Sequence, residues 1–83
     1  MTHDNAPMNP ESHAWPRILL VDDDRELCLL LREYCVPEGL DVFAVHNGEA
    51  GVALALDGSF DLVVLDVMMP GMSGIDALRR IRE

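Results

Sequence analysis

Lysine is missing from this 83-residue chain: all six basic side chains are arginines (Arg17, Arg25, Arg32, Arg79, Arg80 and Arg82), against 15 acidic residues and a formal charge of -9. A surface of that sign repels the phosphates of duplex DNA, so no direct nucleic acid binding is expected of this segment, and a cationic partner or metal fits better. Threonine occurs once, as Thr2. No stretch approaches the ~18 apolar residues of a membrane span, and the opening MTHDNAPMNP has neither a basic nor an apolar signal region, which points to a soluble, non-secreted protein with no membrane partner. The two cysteines, Cys28 and Cys35, do not form a CxxC pair. Seven positions apart on a helix they would stand ~10 Å from one another, too far for a disulfide, so reduced thiols and a cytoplasmic location are expected. A chain this short has room for one small domain.

Residues 1–16 hold three of the five prolines (Pro7, Pro10, Pro16) and no apolar period, and read as a flexible leader, with Trp15 a candidate to dock on the domain that follows. From Arg17 the pattern becomes regular. Ile18-Leu19-Leu20-Val21 is a short continuous apolar run, the mark of a strand buried on both faces, and it stops at Asp22-Asp23-Asp24. Leu27, Leu30, Leu31 and Tyr34 then follow at helical spacing, with Asp24 as N-cap, and Pro37 and Gly39 close that helix. Val42–Val45 predicts a second strand, and His46-Asn47-Gly48 a turn into a helix whose inward residues are Ala50, Ala53 and Leu54. Gly58 ends this helix, Leu62-Val63-Val64-Leu65 forms a third apolar run ending on Asp66, and Ile75, Leu78 and Ile81 mark the face of a last helix. Three strand–helix alternations imply an α/β architecture with parallel strands, right-handed crossovers and helices on both faces, and sites in such sheets form beyond the strands' carboxyl ends.

If the first and third strands are neighbours, Asp22, Asp23 and Asp66 converge at one sheet edge, where three carboxylates repel unless a cation neutralises them. Mg²⁺ prefers oxygen ligands and is commonly held by one or two carboxylates together with phosphate. A carboxylate so placed can attack a phosphoryl group to give an acyl phosphate, and Asp66, alone at its strand end, is the candidate nucleophile. Blander readings weigh less. Asp22-Asp23-Asp24 could serve only as a helix cap, but the second acidic strand end is then unexplained. An EF-hand reading of Asp22, Asp24, Glu26 and Glu33 fails at its sixth position, which is Leu27 and not glycine. Met68, Met69 and Met72 fit loop and core packing better than a copper site. His3, His13 and His46 receive no role, and Arg79, Arg80 and Arg82 most simply complement a helix C-terminus.

Ile18-Leu19-Leu20-Val21-Asp22-Asp23-Asp24, followed by Asp61-Leu62-Val63-Val64-Leu65-Asp66-Val67-Met68-Met69-Pro70-Gly71-Met72-Ser73-Gly74, resembles the receiver domain of bacterial two-component response regulators, from Arg17 to Glu83. The resemblance implies a flavodoxin-like, three-layer receiver fold over 17–83, cut to three strand–helix units where the family has five in the sheet order 2-1-3-4-5. It also implies a phosphoacceptor module of a phosphorelay, served by a sensor histidine kinase and controlling an output domain such as a DNA-binding transcription regulator. Asp66 matches the phosphorylated aspartate and Asp22 and Asp23 the paired acids that hold Mg²⁺. The backbone carbonyl of Met68 matches the family's third protein ligand. Pro70, Gly71 and Gly74 match the loop that bends round the metal, Pro70 through its set φ and the glycines through unusual backbone angles. The serine or threonine ending the family's fourth strand and the lysine ending its fifth have no counterpart in these residues, so weak Mg²⁺ binding and poor phosphorylation are expected. On this reading the chain is a signalling domain and not an enzyme, beyond at most a Mg²⁺-dependent self-phosphorylation. The alternative is a phosphorylation-defective interaction protein that pairs its open third-strand edge with itself or with a receiver domain. A stand-alone phosphotransfer enzyme ranks last, for want of a second general base or a phosphate-cradling glycine loop.

Overall fold

The computed structural model describes residues 15–83, so most of the expected leader, with Thr2, His3 and His13, lies outside the described residues. The elements run β1 (Arg17–Val21), α1 (Arg25–Cys35), a short 3₁₀ turn (Val36–Glu38), β2 (Asp41–Val45), α2 (Gly48–Leu56), β3 (Leu62–Leu65) and α3 (Gly74–Arg82). Each helix starts on a side chain that satisfies an orphan amide. Asp24 accepts from Leu27 N–H at 3.0 Å, Asn47 from Ala50 N–H at 2.8 Å and Ser73 from Asp76 N–H at 3.2 Å. Pro37 follows α1, and Gly39, at φ 85°, turns the chain toward β2.

The three strands form a parallel sheet in the order β2-β1-β3. Val21 pairs with Val45 on one side and Leu65 on the other, so all three strands finish level with one another. The opposite edge is pinned by Arg17, whose amide donates to the Asp61 carboxylate at 2.7 Å and whose guanidinium lies 4.9 Å from the centre of the Phe60 ring. Pro16 already belongs to this edge, since its carbonyl accepts from Asp41 N–H at 2.9 Å.

β1 alternates between two cores. Leu19 and Val21 pack with Met69, Leu54, Ala55 and Phe60 on the face carrying α2 and α3, and Leu20 packs with Cys28, Val42 and Cys35 beneath α1. The three-layer, flavodoxin-like arrangement expected from the sequence is therefore present in three strand–helix units.

The helix faces differ from expectation. In α1 the buried residue is Cys28, with Cys35 half-buried two turns further along, while Leu30 is 58% and Tyr34 72% exposed. In α2 the sheet side is Gly48, Gly51 and Val52, and Ala53 points outward; in α3 it is Gly74 and Ala77, with Ile75 and Leu78 exposed. A helix lying close on a sheet puts its small residues at the line of contact, and its bulky apolar residues splay to the flanks. β3 is partly uncovered, in line with the open third-strand edge expected from the sequence. Leu62 is 54% and Val64 42% exposed, and they line an apolar groove of about 250 Å³ with Ile18, Leu20, Leu31, Cys35 and Val42.

The central and flanking positions should therefore differ sharply in urea denaturation. Leu19→Ala, which empties a fully buried site on the central strand, is expected to cost about 2–5 kcal/mol. Leu30→Ala, despite its place in the leucine stripe, is expected to change stability by no more than about 0.5 kcal/mol.

Candidate functional site

Parallel pairing continues one rung past each strand and there sets the acids. Asp22 N–H donates to the Val45 carbonyl at 3.1 Å, and Asp66 N–H donates to the Val21 carbonyl at 2.8 Å. The backbones of Asp22 and Asp66 are thus held in the ladder while their side chains leave the sheet's carboxyl edge. Asp23 follows on the exposed turn into α1. Carboxylate oxygens of Asp22, Asp23 and Asp66 lie within 4.8 Å of one another, the one such group of potential metal ligands among the described residues.

Local backbone bonds orient two of the three. Asp24 N–H donates to Asp22 Oδ1 at 2.9 Å, and Met68 N–H donates to Asp66 Oδ1 at 3.2 Å. Each bond fixes one carboxylate oxygen and leaves the other to serve as a ligand or nucleophile. A set of hard, charged oxygens with no imidazole or thiolate among them suits Mg²⁺ better than zinc. Met68 itself stands two residues beyond Asp66 in the connecting loop and is 81% exposed, joined to the cluster through its amide.

The loop from Val67 to Ser73 is anchored where Met69 enters the core with Leu19 and Val21. Gly71 has a φ of 75°, the left-handed region that glycine tolerates. Gly74 was expected to supply unusual backbone angles too, but its φ is not positive. What it supplies is space. A Cβ there would collide with the Asp66 carbonyl oxygen and stand 2.7 Å from the carbonyl carbon, and Gly74 N–H donates to the Val67 carbonyl at 3.2 Å. The start of α3 is thereby pressed against the backbone of Asp66.

His46, given no role on the sequence, reaches the site. Its Nδ1 is 3.0 Å from the Asp22 carbonyl oxygen, which can only accept, so a hydrogen bond between them requires the tautomer with the proton on Nδ1. The Cys28 thiol donates to the same oxygen at 3.6 Å. Burial, and next the charges of Asp22 and Asp24, push the Cys28 thiol above its ordinary value, which keeps it protonated and able to donate. A histidine directly after a strand that neighbours an acid-terminated strand is the sequence signal for this contact.

Comparison with known proteins follows the same lines. A family model described as the response regulator receiver domain matches residues 18–83. The transcriptional regulatory protein CpxR of Klebsiella pneumoniae subsp. pneumoniae (strain HS11286) is 55% identical over 67 residues, covering 81% of this chain and 28% of that protein. The crystal structure of the response regulator protein TrrA from Thermotoga maritima in complex with Mg²⁺-BeF superposes with a TM-score of 0.75 at 40% identity, over 81% of this chain and 58% of that one. TrrA in complex with the histidine kinase ThkA gives a TM-score of 0.74 at 40% identity, again over 81% and 58%. The chain spans 28% of the length of the CpxR relative that it matches.

The two loop glycines should separate in mutagenesis. Gly74→Ala is expected to destabilise the domain by about 1–3 kcal/mol through overpacking and to move the Asp66 amide resonance. Gly71→Ala, which meets no atom within 4 Å, is expected to cost about 1–2 kcal/mol of backbone strain alone and to leave that resonance near its original position.

Proposed function

Since this chain belongs to the response regulator receiver domain family, we propose that its carboxylate cluster is a phosphoacceptor site, in which Asp66 takes a phosphoryl group from a sensor histidine kinase. The observation that carries this reading is the convergence of Asp22, Asp23 and Asp66 oxygens within 4.8 Å at the carboxyl edge of the sheet. Asp66 attacks phosphorus with a carboxylate oxygen. The bond from phosphorus to the donor imidazole nitrogen breaks, the electron pair returns to that nitrogen, and an acyl phosphate results. Asp22, Asp23, Asp66 and the backbone carbonyl of Met68 are the groups that would hold Mg²⁺. When bound, the ion supplies positive charge against the phosphoryl oxygens. The Met68 amide on Asp66 Oδ1 keeps the carboxylate turned in one direction, and Gly74 holds the Asp66 backbone in place.

The domain acts as a signalling element and not as a turnover enzyme. Mg²⁺-dependent self-phosphorylation from a small phosphodonor is the most chemistry assigned to it. These 83 residues hold no lysine to meet the phosphoryl oxygens, so slow labelling is expected of this segment taken alone. In a longer protein such a module changes the contacts of an output domain, for which the transcriptional relatives suggest a DNA-binding regulator. Two thiols without a disulfide agree with the cytoplasm. No helix among the described residues is long and apolar enough to cross a membrane.

A second reading rests on β3, which among the described residues pairs with β1 on one side, and whose exposed Leu62 and Val64 lie on the sheet face they share with Ile18 and Leu20. An unpaired apolar edge favours strand addition, by a second copy or by another receiver. Sedimentation that depends on concentration, and loses that dependence in Val64→Lys, supports this reading; a monomer at every concentration rejects it.

Incubation with a small phosphodonor and Mg²⁺ is expected to give slow labelling of the chain, abolished in Asp66→Asn. Equal labelling in that variant would remove Asp66 from the role. Mg²⁺ at a hundred times its dissociation constant is expected to stabilise the domain by about 2.7 kcal/mol in urea denaturation, and the effect should shrink in Asp23→Asn.

A further inference from the structure

We propose that His46 is a positioning residue for the carboxylate cluster, its Nδ1–H holding the backbone of Asp22 so that the Asp22 side chain stands ready to bind the cation. The proposal rests on the metal-site reading above and adds a residue outside the acidic set.

In a parallel ladder, a residue's N–H and C=O bond to two positions on the neighbouring strand that lie two apart. Asp22 N–H donates to the Val45 carbonyl at 3.1 Å, so the next rung would bring the amide of Asn47 to the Asp22 carbonyl. That bond is not made: Asn47 serves as the N-cap of α2, with its side chain on Ala50 N–H, and no backbone bond joins its amide to the Asp22 carbonyl. The chain leaves the sheet here, and the imidazole of His46 occupies the vacated rung, at 3.0 Å from the Asp22 carbonyl oxygen. Val45 and His46 together therefore grip both sides of Asp22, one through the main chain and one through a side chain.

The other donor to that oxygen is the Cys28 thiol at 3.6 Å, a weak partner. Without His46, a half-buried carbonyl would keep only that bond. Its peptide plane would then be held less firmly, and this plane joins Asp22 to Asp23, so the two carboxylates would keep their common setting less well. Groups that orient metal ligands from behind typically matter by 10–100-fold in metal affinity.

The test uses the full chain and Mg²⁺ alone. Nitrogen-15 spectra of the neutral imidazole should show the proton on Nδ1; a proton on Nε2 overturns the proposal without reference to any variant. Mg²⁺ titrations followed by the amide resonances of Asp23 and Met68 should give an affinity at least about tenfold lower for His46→Phe, which keeps a ring and removes the donor. His46→Asn places an N–H at the same distance from Cβ, and should bind Mg²⁺ close to the parent. Equal affinity in all three proteins, or His46→Asn as impaired as His46→Phe, overturns the role. Asp23→Asn is the control. Mg²⁺ binding that is sensitive to Asp23 but indifferent to residue 46 sinks this proposal alone, whereas absence of binding in the parent sinks the metal reading and the positioning role with it. If His46→Phe does not fold, the tautomer and the Asn variant still decide the outcome.

Discussion

Pairing of β1 on both edges is the constraint from which the rest follows. A parallel strand flanked by two others shares one direction and one finishing line with them, and the rungs Asp22–Val45 and Asp66–Val21 carry that alignment one residue beyond the strands. Acids placed directly after two adjacent parallel strands must then meet. A change of register by one residue would send Leu19 and Val21 to the face of Leu20 and would move Asp22 away from Asp66. The hydrophobic alternation of β1 across two cores therefore secures the chemistry at its end.

Close approach of the helices is the second condition. Gly51 lies so near Val21 that a Cβ would stand 2.7 Å from its methyl group, and Gly74 lies against the Asp66 backbone. These contacts set α2 and α3 near the sheet and hold the loop between β3 and α3 tightly enough for Met68 to bond the Asp66 carboxylate. Of 15 acidic residues, three meet at one point, and the backbone amides of the adjoining helix N-termini and loops supply partial positive charge without a basic side chain.

The order of elements, the cap at Asp24, the turn at His46-Asn47-Gly48, the strand ends and the acidic trio were all legible in the residues, because each depends on short-range pattern: an apolar run, a turn residue, an acid at a run's end. The receiver resemblance added Met68, Pro70, Gly71 and Gly74 by position. Less was legible in the helix faces. Leu27, Leu30, Leu31 and Tyr34 form the apolar stripe of α1, yet the residue buried against the sheet is Cys28, with Cys35 beside it. Hydrophobicity identifies a face only to within about one residue's rotation, and the closest line of contact selects for small volume instead. The openness of Leu62–Leu65 was by contrast anticipated, because burial of an apolar run depends on which helices cover each face of it.

From the sequence alone it was determined that this chain alternates strand and helix and carries a receiver's acids, since backbone propensity, periodicity and motif spacing are properties of neighbouring residues. Only the tertiary structure decided that Gly74 serves as space and not as a special dihedral, that Cys28, Gly51 and Ala77 line the helix contacts, and that His46 bonds the Asp22 carbonyl across 24 positions of chain. Those are relations between residues distant along the chain, and they exist only once parallel pairing has brought three strand ends to one edge.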